Sequence, residues 1–190
     1  MPTTLSEKAK KVKSSSTLAI TAKAKELKAK GEDVVSFGAG EPDFPTPENI
    51  REAAIQAIEN GATRYTPASG TNELKEAISK KFHAFNKLDY KPNQIVVSNG
   101  GKHSLTNIFE AILNEGDEVI IPAPYWLSYP EIVRLAGGVP VFVRCTREQD
   151  YKLTIDQLAA AVTDKTKALV LNTPNNPTGM IYGEEELRAI

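Results

Sequence analysis

A glycine pair followed by a lysine, Gly100-Gly101-Lys102, is the first place in this sequence where the residue types suggest chemistry. It comes shortly after the apolar run Ile95-Val96-Val97, which predicts a buried strand, and before a segment with helical spacing. Backbone N–H groups at the start of a helix lack partners within the helix, and the helix dipole favours an anion there. The loop is therefore predicted either to bind a phosphate or to be an ordinary tight turn between strand and helix.

Two other nucleotide-binding motifs are excluded by the residues that surround the glycines. Gly38-Ala39-Gly40 begins like a dinucleotide-binding fingerprint, but Asp43 stands where the third glycine is required. Gly100-Gly101-Lys102 ends like a phosphate-binding Walker loop, but Val96 occupies the first glycine position and His103 replaces the serine or threonine. Neither a dinucleotide-binding protein nor a nucleoside triphosphatase is predicted.

Two further loops follow predicted strands and contain residues suited to a ligand. Pro122-Ala123-Pro124-Tyr125-Trp126 follows the apolar run 118–121, and residues 172–179 follow the run 168–171. In an open parallel sheet, the loops at the carboxyl ends of the strands form the ligand crevice. Trp126 is predicted either to stack on a ligand or to lie in the core. The Asn-rich loop either presents an amide to a ligand oxygen or forms a plain turn.

The two histidines of the chain are not arranged for metal binding or for nucleophilic catalysis. His83 and His103 lack cysteines or paired carboxylates at metal-ligand spacing, and nothing resembles an activated Ser-His-Asp set. We therefore expect both histidines to be structural, and we predict no metal site.

The apolar periodicity predicts strands that alternate with helices. Thr46 is expected to cap a helix with Pro47 at its first position, and Thr154 and Gln157 form a capping-box pattern. The alternation predicts an α/β fold with a mostly parallel sheet covered on both faces. The predicted strands are 34–37, 95–97, 118–121, 139–143 and 168–171, and the predicted helices begin near residues 17, 47, 71, 105, 128 and 155.

Composition limits the classes of function. The 23 basic and 24 acidic residues nearly cancel, which removes the electrostatic argument for nucleic acid. Cys145 is the only cysteine, so no intrachain disulfide forms and a cytoplasmic protein is expected. The basic N-terminal segment lacks the apolar run of a signal peptide or membrane span. Because the helical pattern that starts at Glu184 has barely begun at Ile190, the natural polypeptide is expected to continue.

Five motifs, in their order and spacing from about residue 5 to the end, resemble the class I aminotransferases of the fold-type I pyridoxal-phosphate enzymes. The bacterial-type aspartate aminotransferases are the most similar subgroup. The resemblance implies an N-terminal arm and small-domain segment over 1–46 and the first half of the large cofactor-binding domain over 47–190. The motifs are Gly40-Glu41-Pro42-Asp43-Phe44-Pro45-Thr46-Pro47, Tyr65-Thr66-Pro67-Ala68-Ser69-Gly70, Gly100-Gly101-Lys102, Pro124-Tyr125-Trp126 and Asn175-Asn176-Pro177-Thr178-Gly179.

The resemblance also implies roles for individual residues. The backbone at Gly101 and Lys102 would bind the phosphate of pyridoxal 5'-phosphate, Trp126 would stack on its ring, and Asn176 would hydrogen-bond its phenolic oxygen. Tyr65 would reach across a dimer interface to the partner subunit's cofactor phosphate.

The substrate site implied by the resemblance overlaps the cofactor site. Gly40 lies in the segment that meets the substrate's α-carboxylate, Trp126 and Asn176 border the same space, and Lys102 can reach a distal carboxylate.

The resemblance implies amino transfer between aspartate and 2-oxoglutarate by a full-length homodimer. The Schiff-base lysine falls in the missing C-terminal half, so no catalytic residue is assigned here and this chain alone is expected to be inactive. The alternatives are a prephenate or aromatic aminotransferase, a related fold-type I lyase, and a non-catalytic phosphate-binding or dimerisation module.

Overall fold

The computed structural model describes residues 4–38 and 40–190, which form two compact units. One unit, Ser15–Ser98, is called the helical unit here. The other, called the sheet unit, combines residues 4–14 with Asn99–Ile190.

The described residues of the helical unit form helices only, and the sheet unit combines helices with three short strands. Single turns of other helix types lie at Phe82–Asn86 (π) and at Pro92–Gln94 and Arg147–Gln149 (3₁₀). In chain order the main elements are α1 (Glu7–Lys11), α2 (Ser16–Ala29), α3 (Glu48–Glu59), α4 (Asn72–Lys81), α5 (Gly100–Ile112), β1 (Glu118–Ala123), α6 (Ser128–Leu135), β2 (Val139–Arg144), α7 (Ile155–Ala161), β3 (Thr166–Leu169) and α8 (Glu184–Ala189).

Two of the three helix starts that the sequence predicts from a capping residue are confirmed. The Thr71 hydroxyl accepts a hydrogen bond from the Leu74 N–H at 3.3 Å, and Thr154 and Gln157 form the predicted capping box of α7. The predicted cap at Thr46 is wrong. Pro47 has an extended ψ of 143° while its carbonyl accepts the first helical hydrogen bonds, so Pro47 itself is the N-cap of α3.

Two of the predicted strands, 34–37 and 95–97, are wrong. Both segments lie in the helical unit, whose described residues contain no strand. An extended segment becomes a strand only when a neighbour completes its backbone hydrogen bonds. Within the helical unit the Val97 N–H donates to the Ser69 carbonyl at 3.0 Å, which is one contact and not a ladder. Helix α5 also begins earlier than predicted, at Gly100 instead of Leu105.

The sheet unit confirms the predicted α/β fold. Its three strands are parallel in the order β2-β1-β3, with β1 in the centre. Val119 and Ile121 of β1 are fully buried and pack with Phe109 of α5 and Val133 of α6. A second cluster packs Cys145, Leu153 and Tyr182 against residues of β2, β3 and α7, such as Leu158. Helices therefore cover the sheet on both faces.

No described helix is both long and apolar enough to cross a membrane.

Gly138, between α6 and β2, tests the packing of this core. A Cβ atom at Gly138 would lie 2.8 Å from Leu113 Cδ1 and 2.9 Å from Val133 Cγ1. Gly138→Ala should therefore lower the free energy of unfolding by about 1–3 kcal/mol through overpacking. Denaturant titration of the full-length protein measures this change. The matched control is Gly101→Ala, because a Cβ there meets nothing within 4 Å. If both variants change the free energy of unfolding equally, the close packing at Gly138 does not contribute to stability.

Candidate functional site

The loops that follow β1 and β3 are joined by one side chain. Asn175 Nδ2 donates to the Pro124 carbonyl at 3.3 Å and to Thr178 Oγ1 at 2.8 Å. Because β1 and β3 are parallel neighbours, their carboxyl ends lie at the same sheet edge, as the sequence predicted. Sequence reasoning chose Asn176 and missed Asn175. The only available signal was the pair of consecutive asparagines, which does not show which one points inward.

Hydrogen bonds within residues 172–180 hold this loop in one shape. The Asn175 N–H donates to the Met180 carbonyl at 2.9 Å, and the Gly179 N–H donates to the Asn175 carbonyl at 2.7 Å. The Asn176 N–H donates to Asn172 Oδ1 at 2.8 Å, while residue Asn176 remains exposed. The loop therefore fixes the backbone of Asn176 and leaves its amide accessible to a ligand.

Lys102 and Trp126 meet at this edge of the sheet unit. The Lys102 ammonium lies 5.2 Å from the centroid of the Trp126 ring, which is within cation–π range. Trp126 is half-buried, and Tyr129 contacts it edge-on at 5.3 Å between ring centroids. One side of the indole is thus supported by the core, and a flexible exposed cation lies over its ring.

The N-terminus of α5 is open toward solvent. Gly100 has a φ of +81°, which glycine tolerates without strain, and the Asn99 side chain makes no capping hydrogen bond. Cβ atoms placed on Gly100 and Gly101 would meet nothing within 4 Å. The first N–H groups of α5 are therefore free to face an anion.

His103 supports this loop from within. Its Nδ1 accepts a hydrogen bond from the Asn99 N–H at 3.1 Å, which assigns the ring a proton on Nε2. His103 thus has a local structural role beside the predicted phosphate loop. His83 lies elsewhere, 2.7 Å from an Asp89 carboxylate oxygen and exposed to solvent.

Gly40 and Tyr65 lie in the helical unit, and both are exposed. The other predicted site residues, Gly101, Lys102, Trp126 and Asn176, all lie in the sheet unit. The structure therefore places four of the six predicted site residues in one unit, and the roles of all six stay predictions.

Buried ionisable groups near this edge are held in their neutral forms. Burial raises the pKa of the Tyr182 phenol, whose oxygen accepts the Leu153 N–H at 2.6 Å. Burial likewise raises the pKa of Tyr129 and that of the Cys145 thiol. Cys145 is therefore not an activated nucleophile, since the thiolate is the reactive form. Within the described residues, no group of three or more His, Cys, Asp or Glu side chains is arranged for a metal ion.

Beneath the joined loops lies a cavity of about 10 Å³, bordered by Pro124, Tyr125, Asn175 and Tyr182 among others. This volume suits a single water molecule and is too small for an aromatic ligand. This cavity is therefore not a site for a ligand of the size of a cofactor.

The family of the chain follows from sequence comparison. The sequence model of the family Aminotransferase class I and II matches residues 32–190. The chain belongs to this family. It is 59% identical to an aspartate aminotransferase of Bacillus sp. (strain YM-2), over 98% of this chain and 47% of that relative. It is 54% identical to a probable aspartate/prephenate aminotransferase of Aquifex aeolicus, over 98% of this chain and 47% of the relative.

Solved structures confirm the fold of this aminotransferase-family chain. An aspartate aminotransferase from Thermus thermophilus with maleate superposes with a TM-score of 0.95 at 48% identity, over 99% of this chain and 49% of that structure. The chain has the fold-type I architecture of such enzymes over the part that it shares with them. It spans about half the length of the relatives and structures that it matches.

The Asn175 contact gives a test of how the site is held. Asn175→Asp keeps the shape of the side chain but removes the donor, so the Pro124 carbonyl would face a carboxylate. We expect the free energy of unfolding to fall by about 1–3 kcal/mol, because a partly buried acceptor loses its partner. Denaturant titration of the cofactor-free full-length protein provides the measurement. Asn107→Asp, an exposed position on α5, introduces the same charge and should cost less. If both variants lose equal stability, Asn175 does not join the loops.

Proposed function

We propose that this chain forms the amino-terminal part of a pyridoxal-phosphate-dependent aminotransferase that moves an amino group between aspartate and 2-oxoglutarate. The observation that carries the proposal is the sheet edge where the open N-terminus of α5, the Lys102–Trp126 pair and the Asn172–Gly179 loop meet. Relatives named as aspartate aminotransferases, each about twice as long as the chain, support it.

The residues at this edge fit the three chemical parts of pyridoxal 5'-phosphate. The free N–H groups at Gly101 and Lys102 suit the phosphate, because helix dipole and unsatisfied donors act together. The half-buried Trp126 ring offers a flat surface for the pyridine ring, and the exposed Asn176 amide offers a donor for the phenolic oxygen. When bound, the cofactor supplies the electron sink that amino transfer requires.

In the proposed reaction, the residues of this chain bind and orient the cofactor. Tyr129 contacts Trp126 edge-on, and the indole supported in this way would cover one face of the cofactor ring. Asn175 ties the loop of Asn176 to Pro124, so the Asn176 amide is already placed before the ligand arrives. The lysine that bonds the cofactor covalently and moves the proton is not assigned to any residue of this chain. The chain alone is therefore expected to be inactive.

The assembly that we propose is a homodimer with shared sites. Tyr65 is fully exposed, as a residue that reaches toward a partner subunit's cofactor phosphate should be. Gly40 is also exposed and is assigned to the segment that meets the substrate's α-carboxylate. Residues 1–46 are assigned to the arm and small domain, and residues 47–190 to the first half of the cofactor domain.

A second candidate activity is prephenate amination. Several relatives are named aspartate/prephenate aminotransferases, at 51–54% identity over 98% of this chain. Prephenate and aspartate both carry a carboxylate in addition to the one beside the reacting centre. An exposed cation at the ring face, such as Lys102, suits either substrate.

Activity of the full-length protein with pyridoxal phosphate tests the proposal directly. Aspartate with 2-oxoglutarate should yield oxaloacetate, and the reaction should require the cofactor. Prephenate offered as amino acceptor separates the second candidate from the first. Turnover of neither pair, with the protein folded and the cofactor bound, would contradict the proposed function.

Lys102 should set the preference for acidic substrates. Its exposed ammonium lies 5.2 Å from the centroid of the Trp126 ring, and this flexible side chain can move aside for the cofactor and still reach a substrate bound beside it. Lys102→Met should lower kcat/KM for aspartate by about 1.5–3 kcal/mol of transition-state stabilisation and spare an uncharged amino acid. Steady-state kinetics on both substrates measures the difference.

The matched control for Lys102 is Lys81→Met. Lys81 also lies over an aromatic ring, 5.8 Å from the Phe82 centroid, but it belongs to the helical unit and to no proposed contact. Lys81→Met should change kcat/KM for neither substrate. Equal losses for aspartate and the uncharged substrate in Lys102→Met would mean that only the cofactor is affected.

A further inference from the structure

Lys75 is the one charged residue that is buried in the described part of the chain, with 8% of its surface exposed. It lies in the first half of α4, and its ammonium donates to Ser69 Oγ at 3.0 Å. No described carboxylate forms an ion pair with it. Burying an ammonium without a counter-charge is unfavourable, and a methionine would fill the same volume at lower cost. The charge therefore needs an explanation that packing does not provide.

Ser69, the hydrogen-bond partner of Lys75, is held through both its side chain and its backbone. The Ser69 carbonyl accepts the Val97 N–H at 3.0 Å, and the Lys75 ammonium holds its hydroxyl. The next residue, Gly70, has a φ of +100°, and a Cβ there would lie 2.6 Å from Val97 Cγ2. The backbone at residues 69–70 thus lies directly against Val97 and in a conformation that only glycine adopts without strain.

Ser69 and Gly70 form one end of the short segment that begins with Tyr65. The Gly70 N–H donates to the Pro67 carbonyl at 2.9 Å and closes a turn, and Thr71 then caps α4. Tyr65 itself is fully exposed, so contacts of its ring do not fix its position. The direction in which Tyr65 projects is set by the backbone that leads to Ser69.

We propose that Lys75 is a positioning residue for Tyr65 and acts by holding the Ser69 hydroxyl. The inference rests on the proposed function, in which Tyr65 reaches the cofactor phosphate of a partner subunit. Without the ammonium, the turn between Pro67 and Gly70 loses its side-chain anchor. Tyr65 then samples directions that miss the phosphate.

A double-mutant cycle on the full-length enzyme tests this. The measured quantity is the dissociation constant of pyridoxal phosphate from the cofactor-free dimer, obtained by absorbance titration. Tyr65→Phe and Lys75→Met should each weaken binding by about tenfold, and together no more than either alone, because both remove the same contact. Ser69→Ala should reproduce the effect with α4 unchanged in sequence. It also serves as the test variant if Lys75→Met does not fold.

The controls separate positioning from general destabilisation. Lys80→Met, an exposed lysine on the same helix, should leave the dissociation constant unchanged. Losses from Lys75→Met that add fully to those of Tyr65→Phe would overturn the inference, as would unchanged binding in both Lys75→Met and Ser69→Ala. If Tyr65→Phe alone leaves binding unchanged, the proposed role of Tyr65 fails and the inference fails with it. If Tyr65→Phe weakens the binding of pyridoxal phosphate and Lys75→Met does not, the proposed function stands and the positioning role of Lys75 is rejected.

Discussion

The parallel pairing of β1 with strands on both sides is the constraint on which the candidate site depends. A central strand of a parallel sheet is covered on both faces and is therefore rich in apolar side chains, and Val119, Ile120 and Ile121 are at most 1% exposed. Parallel pairing also forces the chain to cross over through helices and brings successive carboxyl ends to one edge. The loops around Pro124 and Asn175 meet for that reason, although they are 51 residues apart.

At this edge the groups of the proposed site are mostly backbone donors and neutral side chains. The open start of α5 presents N–H groups, and an amide and an indole lie beside it. Such groups keep their positions and their protonation states over a wide pH range, so little reorganisation is needed when a phosphate and a ring bind. The flexible charge at this edge is Lys102, which is exposed. In the proposed site, rigid contacts would bind the cofactor and this flexible one would select the substrate.

The helical unit differs in exposing many apolar side chains. Helix α3 carries Ile50, Ile55 and Ile58, each more than half exposed, and Phe37 is almost fully exposed. Apolar side chains in such numbers on a surface usually mark contacts with further protein. This exposure agrees with the proposal that the chain works as part of a longer, dimeric enzyme. It also shows why Lys75 stands out, since a charge is buried in a unit that exposes much of its apolar surface.

The sequence by itself determined the features that depend on residues a few positions apart. Periodicity placed α6 at Ser128–Leu135, and Thr71 and Thr154 placed helix starts, because caps and amphipathic faces are local. The order of the five motifs identified the family for a related reason, since each motif is a short run. Whether residues 34–37 or 95–97 form strands was decided by tertiary structure, because pairing needs a distant neighbour.

The same distinction applies to the site. The sequence singled out Gly101, Lys102, Trp126 and the Asn-Pro loop, since glycine pairs, a lone tryptophan and consecutive asparagines are visible in a linear chain. Only the folded chain showed that Asn175 joins the loops, because the carbonyl that it contacts lies on another strand's loop. Only the folded chain showed that Lys75 is buried, because burial depends on what packs around α4, and no local pattern distinguishes it from the exposed lysines of the same helix.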